Sequence, residues 1–97
     1  MRRLVIAAFM LVIPACATLE PPITDPQALA RGEATFNAYC ASCHDPPKLG
    51  APDRFALSRM TPSYILSQLD AGKMQMMALD IPREQAREIA AYLGNKP

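Results

Sequence analysis

Residues 40–44 read Cys40-Ala41-Ser42-Cys43-His44, two thiols three positions apart with an imidazole directly after the second. A thiol pair at this spacing serves several chemistries, and the rest of the chain decides among them. A structural zinc site needs four Cys or His ligands. Beyond this stretch the chain offers only Cys16, in what reads as a leader, and no second histidine, so structural zinc is excluded. A redox dithiol of thioredoxin type sits after a strand and before a helix. Here a helical pattern runs into Cys40 and a proline-rich loop follows His44, which is the reverse order.

The remaining reading takes all five residues together, because C-x-x-C-H is the attachment signature of c-type haem. The two thiols are spaced to add to the two vinyl groups of one porphyrin, and His44 follows where its ring binds the iron from the same side. One covalent haem c is therefore the expected cofactor, with Cys40 and Cys43 as its thioethers and His44 as the proximal ligand.

The ends of the chain bound where that chemistry happens. Met1, Arg2 and Arg3 precede an apolar run from Leu4 to Ile13, followed by Pro14, Ala15, Cys16 and Ala17. A positive start, a short apolar stretch and small residues make an export signal. A membrane-spanning helix needs about 20 apolar residues, so the run is too short for a permanent anchor. Residues 1–17 are expected to be the signal peptide. Ile13 to Cys16 also resembles a lipobox, which would end the signal at residue 15 and leave Cys16 lipidated. The alternative is an A-x-A cleavage that leaves Thr18 first. Residues 18–25 then form a tether and 26–97 the working domain.

Cleavage leaves roughly 80 residues, one domain at most, with too small a core to fold generously unaided. A buried haem would complete that core. Arg2 and Arg3 lie in the leader, so the remaining basic residues fall one short of the 9 acidic ones. With no run of like charge, no glycine-rich phosphate loop and no internal repeat, nothing points to nucleic acid.

Three helices are expected. Thr24, Asp25 and Pro26 supply a cap followed by proline, and Leu29, Gly32, Phe36 and Tyr39 recur at helical steps up to Cys40. A glycine in mid-helix costs about 1 kcal/mol relative to alanine, so Gly32 suggests close approach of another backbone. Asp45 to Asp53 holds Pro46, Pro47, Gly50 and Pro52 and reads as an ordered loop, with a Pro46 or Pro47 carbonyl as the expected acceptor for the second ring nitrogen of His44. Thr61 and Pro62 start the second helix, Tyr64, Ile65, Leu66 and Leu69 give it an apolar face, and Gly72 ends it. Pro82 opens the third, with Glu84 near its start, Ala86, Ile89, Ala90 and Leu93 at helical spacing, and Gly94 as its stop. No segment alternates as a strand, so the chain is expected to be all-α.

From about Ala28 to Leu93 the sequence resembles a class I cytochrome c, on Gly32 and Phe36, on Cys40 to His44, and on Ile89-Ala90-Ala91-Tyr92-Leu93. The resemblance implies three main helices and loops wrapped around one covalent haem. The first and last helices would cross where Gly32 permits, with Phe36 and Tyr92 packed at the contact. It also implies a methionine as the sixth iron ligand, commonly in a Met-Pro pair, which this chain lacks. Among Met74, Met76 and Met77, Met76 is the first choice because Leu79 and Ile81 follow at the family's apolar positions. Met74 is the second, on a longer register with Met77 and Ile81. Met77 is expected to pack near the haem edge and Met60 in the core. Clustered methionines also suit copper, a rival that the need for an axial ligand displaces.

Ligation by His44 and Met76 leaves no open iron position and raises the potential. The expected role is a one-electron carrier in the periplasm, where haem attachment is completed in bacteria, rather than an enzyme. Its partners would be a dehydrogenase as donor and an oxidase or reductase as acceptor, and it is either free, tethered through Cys16, or the cytochrome subunit of a dehydrogenase. The alternatives are a haem protein with an open sixth position near Tyr64 or Lys73, acting as a gas sensor or peroxidase, and a thiol oxidoreductase. Lys48, Arg54, Arg59 and Lys73 are expected at the haem edge, where partners dock.

Overall fold

Proline and the capping residue before it start two of the main helices as the sequence pattern requires. The computed structural model describes residues 4–10 and 20–94. The leader's end, with Cys16 and both candidate cleavage points, lies outside the described residues. Helix α1 spans Pro26–Tyr39, α2 Ala41–His44, α3 Arg54–Ser58, α4 Pro62–Asp70 and α5 Arg83–Leu93. The Asp25 carboxylate accepts from the Gln27 N–H at 3.3 Å and the Thr61 hydroxyl from the Tyr64 N–H at 3.1 Å, each satisfying an amide that helix geometry leaves orphaned. Pro82 precedes α5, Glu84 lies in its first turn, and the Gly94 N–H closes it on the Ala90 carbonyl at 2.9 Å. Among the described residues there is no strand, only an isolated bridge between His44 and Pro47.

The two short helices were not expected. α2 is the Cys-x-x-Cys-His stretch itself, wound into one turn directly after α1. α3 is capped by Asp53, whose carboxylate accepts from the Ala56 N–H at 2.8 Å. At five residues it carries too little periodicity to announce itself in the sequence.

Helices α1 and α5 cross where sequence reasoning put the contact. Gly32 is buried, and a Cβ on it would overlap the Glu88 carbonyl, so the backbones meet because no side chain intervenes. Small buried residues, Ala28, Ala86 and Ala90, flank the crossing, and Phe36 and Ile89 are each 1% exposed. Burying side chains of that size is worth about 2 kcal/mol apiece. The Phe36 and Tyr92 rings pack tilted with centroids 6.3 Å apart. Arg31 Nε donates to Glu88 Oε2 at 2.7 Å, giving the buried Glu88 carboxylate a cationic partner. From the other side, α4 adds Ile65 with the partly buried Leu66 and Leu69.

The stretch before α1 is held against the far side of α4 and α5. Arg87 Nε pairs with Glu20 at 2.9 Å, and another Arg87 nitrogen donates to the Pro21 carbonyl at 2.9 Å. Arg83 bridges Glu20 and Asp70. The core proper consists of Phe36, Leu57, Ile65, Ile89, Ala90 and Leu93, and five of these six also line a cavity on its open side. No helix among the described residues is long and apolar enough to cross a membrane.

Candidate functional site

The cavity has a volume of about 600 Å³, within the range of cofactor sites. Its lining brings together Cys40, Cys43 and His44 from the end of α1 and the turn of α2, and Pro52 and Leu57 from the following loop and α3. Tyr64, Ile65 and Leu69 come from α4, Met74, Met77, Ala78 and Ile81 from the segment after it, and Ile89 and Leu93 from α5. The α2 turn presents both sulfurs to one space, and the Cys43 and His44 amides, both donating to the Cys40 carbonyl at 3.2 Å, keep that turn closed.

His44 is buried, and its Nδ1 lies 2.7 Å from the Pro52 carbonyl oxygen. A carbonyl only accepts, so Nδ1 carries the proton and the lone pair of Nε2 remains for a metal. The acceptor is Pro52, not Pro46 or Pro47 as expected. Pro47 is taken up by the backbone turn with His44, and the chain returns to the ring only after passing Leu49 and Gly50, whose φ angles of 57° and 77° reverse its direction. That return is tertiary geometry, and a proline carbonyl has no signature in the sequence.

Burial raises the Cys40 thiol above its ordinary pKa, so it is not an activated thiolate of the kind dithiol oxidoreductases use. Neither Cys40 nor Cys43 is in a disulfide. Phe36 separates the imidazole from the helix crossing, its ring 6.1 Å from that of His44.

The methionines divide by position rather than by exposure: Met74 and Met77 line the cavity, Met77 at its open edge with 79% of its surface exposed, whereas Met76, 74% exposed, is outside the lining. The apolar residues divide in step: Ile81 lines the cavity and Leu79 is exposed. Met60 lines it too while packing on the core. Of the four basic residues expected at the rim, Lys48 and Lys73 line the cavity. Arg59 lies over Phe55 at 5.8 Å, and Arg54 is drawn into a network with Asp45, Asn37 and Tyr92. Sequence reasoning did not anticipate that network, since it joins residues from four separate parts of the chain.

An apolar cavity with two cysteines in its lining beside a buried imidazole, one of whose nitrogens is spoken for, is the donor set that covalent haem c needs. A family model described as "Cytochrome C oxidase, cbb3-type, subunit III" matches residues 27–93, and the chain belongs to this cytochrome c family. The resemblance seen in the sequence and the all-α fold expected from it are thereby borne out. Family membership implies covalent haem c, and the donor set of Cys40, Cys43 and His44 fits that group.

Two curated relatives are named Polyvinylalcohol dehydrogenase. The chain is 33% identical to the one from Pseudomonas sp over 69 residues, covering 71% of this chain and 11% of the relative. It is 36% identical to the one from Sphingopyxis sp. (strain 113P3) over 63 residues, 65% of this chain and 10% of the relative. The chain thus spans about a tenth of the length of these relatives. No solved structure matches.

Proposed function

We propose that the chain is a one-electron carrier in which Cys40 and Cys43 would hold one haem c as thioethers, and His44 and Met74 would be the ligands to its iron. The observation that carries this reading is a single cavity whose apolar walls hold both thiols, a buried imidazole with Nδ1 satisfied, and a thioether. When bound, haem ligated by one His and one Met supplies a reversible one-electron couple, weighted towards the reduced form and with no open iron position. The residues around it have separate tasks. Pro52 fixes the His44 tautomer and strengthens the imidazole as a donor. Phe36, Leu57, Ile65 and Ile89 exclude water from the buried side of the cavity. Met74 is preferred over Met76 as the sixth ligand because Met74, Met77 and Ile81, the three positions of the longer register, share the cavity lining.

The wider reading is an exported protein: residues 1–17 as signal peptide, with either lipidation at Cys16 or cleavage before Thr18, residues 18–25 as tether, and 26–97 as the cytochrome domain. Its electron donor is a dehydrogenase, a choice supported by the relatives' names, and its acceptor a terminal oxidase or reductase. Docking uses the cavity rim with Lys48 and Lys73.

The test is the intact mass and spectrum of the protein matured in a host that attaches c-type haem. A mass equal to the chain from Thr18 plus one haem gives a free periplasmic carrier, and acyl mass on Cys16 gives a tethered one. A colourless protein without haem mass overturns the proposal and leaves the dithiol. Carbon monoxide binding to the native reduced protein overturns the closed His/Met site in favour of an open position beside Tyr64 and Lys73, which line the same cavity.

A further inference from the structure

Arg54 is the most heavily engaged polar side chain near the site, and the electron-carrier reading gives it no role. Its Nε donates to Asp45 Oδ2 at 2.7 Å, one terminal nitrogen donates to the Tyr92 hydroxyl at 2.5 Å, and the other to the Asn37 side-chain carbonyl. Its guanidinium carbon lies 4.5 Å above the Phe36 ring and 5.9 Å from that of Tyr92. An isolated surface ion pair contributes little. This one is different in kind, because the side chain is only 31% exposed and each of its three nitrogens has a partner, in the loop after α2, on α5 and on α1.

The positions of those partners matter. Asp45 directly follows the proximal ligand His44, and Arg54 stands two residues after Pro52, whose carbonyl holds the His44 ring. The Asp45 pair therefore closes the loop 45–53 at its two ends, and Asn37 of α1 and Tyr92 of α5 fix that closure to the helix crossing. Phe36 neighbours both Arg54 and His44, with the guanidinium 4.5 Å over its ring and the His44 ring tilted against it at 6.1 Å. The loop itself carries Pro46, Pro47 and a left-handed turn at Leu49 and Gly50, and contributes no residue to the buried core. Within the loop the Lys48 amide turns onto the Cys43 carbonyl at 2.8 Å and the Ala51 amide onto that of Lys48 at 3.0 Å, and the Arg54 staple ties the two ends together.

We propose that Arg54 is a positioning residue for the proximal ligand: it holds the 45–53 loop so that the Pro52 carbonyl stays on His44 Nδ1, and thereby sets the donor strength of the imidazole. The proposal rests on the haem reading above. Its competitor is a simple charge effect, and the two have opposite signs. A hydrogen bond from Nδ1 strengthens the ligand and favours the oxidised iron, so weakening that bond raises the potential. A nearby cation favours the reduced, less positive state, so removing it lowers the potential.

The experiment uses the matured haem protein and its R54M, R54K and D45N variants, with two readouts: the reduction potential, and the solvent exchange rate of the His44 Nδ1 proton by NMR. Positioning predicts a raised potential in both R54M and R54K, because lysine keeps the charge but cannot span Asp45, Asn37 and Tyr92 together. It also predicts Nδ1 exchange faster by about tenfold in all three variants, the scale of one lost hydrogen bond. A lowered potential in R54M with an unchanged R54K would assign the residue to charge alone and overturn the proposal. Reduced thermal stability with unchanged potential and exchange would make Arg54 merely structural and overturn it equally. Should R54M fail to mature, R54K and D45N carry the test by proton exchange. Absence of haem from the wild-type protein is a distinct result that overturns the parent reading instead.

Discussion

On the proximal side of the cavity, the loop 45–53 is held by side chains at both ends, through Asp45 and Arg54, and ends in a 2.7 Å contact between Pro52 and His44. The segment 71–81 that carries the methionines is held by local turns and by Gln68 at the end of α4, whose side chain also accepts from the Lys73 amide at 3.3 Å. The Met74 amide donates to the Gln68 carbonyl at 3.1 Å, Ala78 to Met74 at 3.0 Å and Ile81 to Ala78 at 3.0 Å. Both walls contain local turns, such as the Lys48 amide on the Cys43 carbonyl at 2.8 Å, but only the first adds ties between side chains far apart in sequence. A ligand on the first wall is expected to tolerate little change around it. A ligand on the second depends on which residue the turns bring inward, and neighbouring methionines are then poor substitutes for one another.

The largest effect expected from this contrast is on the proximal wall. Replacing both Cys40 and Cys43 by alanine removes the covalent hold, and the accumulated protein should lose its haem mass and most of its helical circular dichroism signal. The buried core of the described residues is small, and five of its six members face the cavity, so an apolar occupant contributes much of the burial that stabilises the fold. A well-folded, colourless double variant would show that the helix crossing is sufficient without it.

Next in size is the distal wall. Met74→Ala should abolish the Met-to-iron absorption band and let the reduced protein bind carbon monoxide, whereas Met76→Ala, altering an exposed side chain, should leave both unchanged. The reverse pattern would return the ligand to Met76 and mean that the turns of segment 71–81 differ when haem is bound.

These two predictions also mark how much the sequence discloses. The candidate thioether pair and proximal ligand could be named from the sequence because Cys40, Cys43 and His44 lie within five residues, so their relative placement follows from one turn of chain. The main helices were legible from Asp25-Pro26, Thr61-Pro62 and the stop at Gly94, all local signals, and Gly32 foretold the crossing because a glycine in a helix interior is costly unless something uses the space. What failed to show was anything requiring the chain to return to itself. Pro52 rather than Pro47 accepts from His44 because of a reversal at Leu49 and Gly50, and Arg54, which looked like a rim charge, turned inward because Asn37 and Tyr92 lay within reach. The methionine register is an intermediate case. Both frames satisfied the apolar spacing, and only the fold separates Ile81 and Met77 at the cavity from Leu79 and Met76 outside it.

The crossing of α1 and α5 gives a reference against which both walls can be judged, because it carries no ligand. Gly32→Val would force a branched side chain into the space of the Glu88 carbonyl, and neither helix can yield without moving Phe36 and Ile89. Destabilisation of about 3 kcal/mol is expected, at the upper end for overpacking, read as a lowered chemical-denaturation midpoint. The Met-to-iron band of the folded fraction should persist. A lost band at unchanged stability would mean that the crossing controls the distal wall directly, contrary to the separation argued here.

The smallest expected effect lies at the rim, where the two walls meet solvent. Lys48 belongs to the proximal loop and Lys73 to the segment after α4, and both line the cavity. Neither is in an ion pair among the described residues, in contrast to Arg54, Arg83 and Arg87, whose charges are matched by carboxylates within the fold. Unmatched cations on both lips of the site are suited to steer an acidic partner towards it. Changing either lysine to glutamate should slow bimolecular electron transfer with such a partner by up to about tenfold at low salt, with the difference shrinking as ionic strength shortens the reach of the charge. Stopped-flow rates across a salt series measure it. Equal effects from the two lysines would mean that a partner sees one continuous face. An effect from Lys48 alone would make the fixed proximal wall the docking side and leave the distal turns free to serve only the iron.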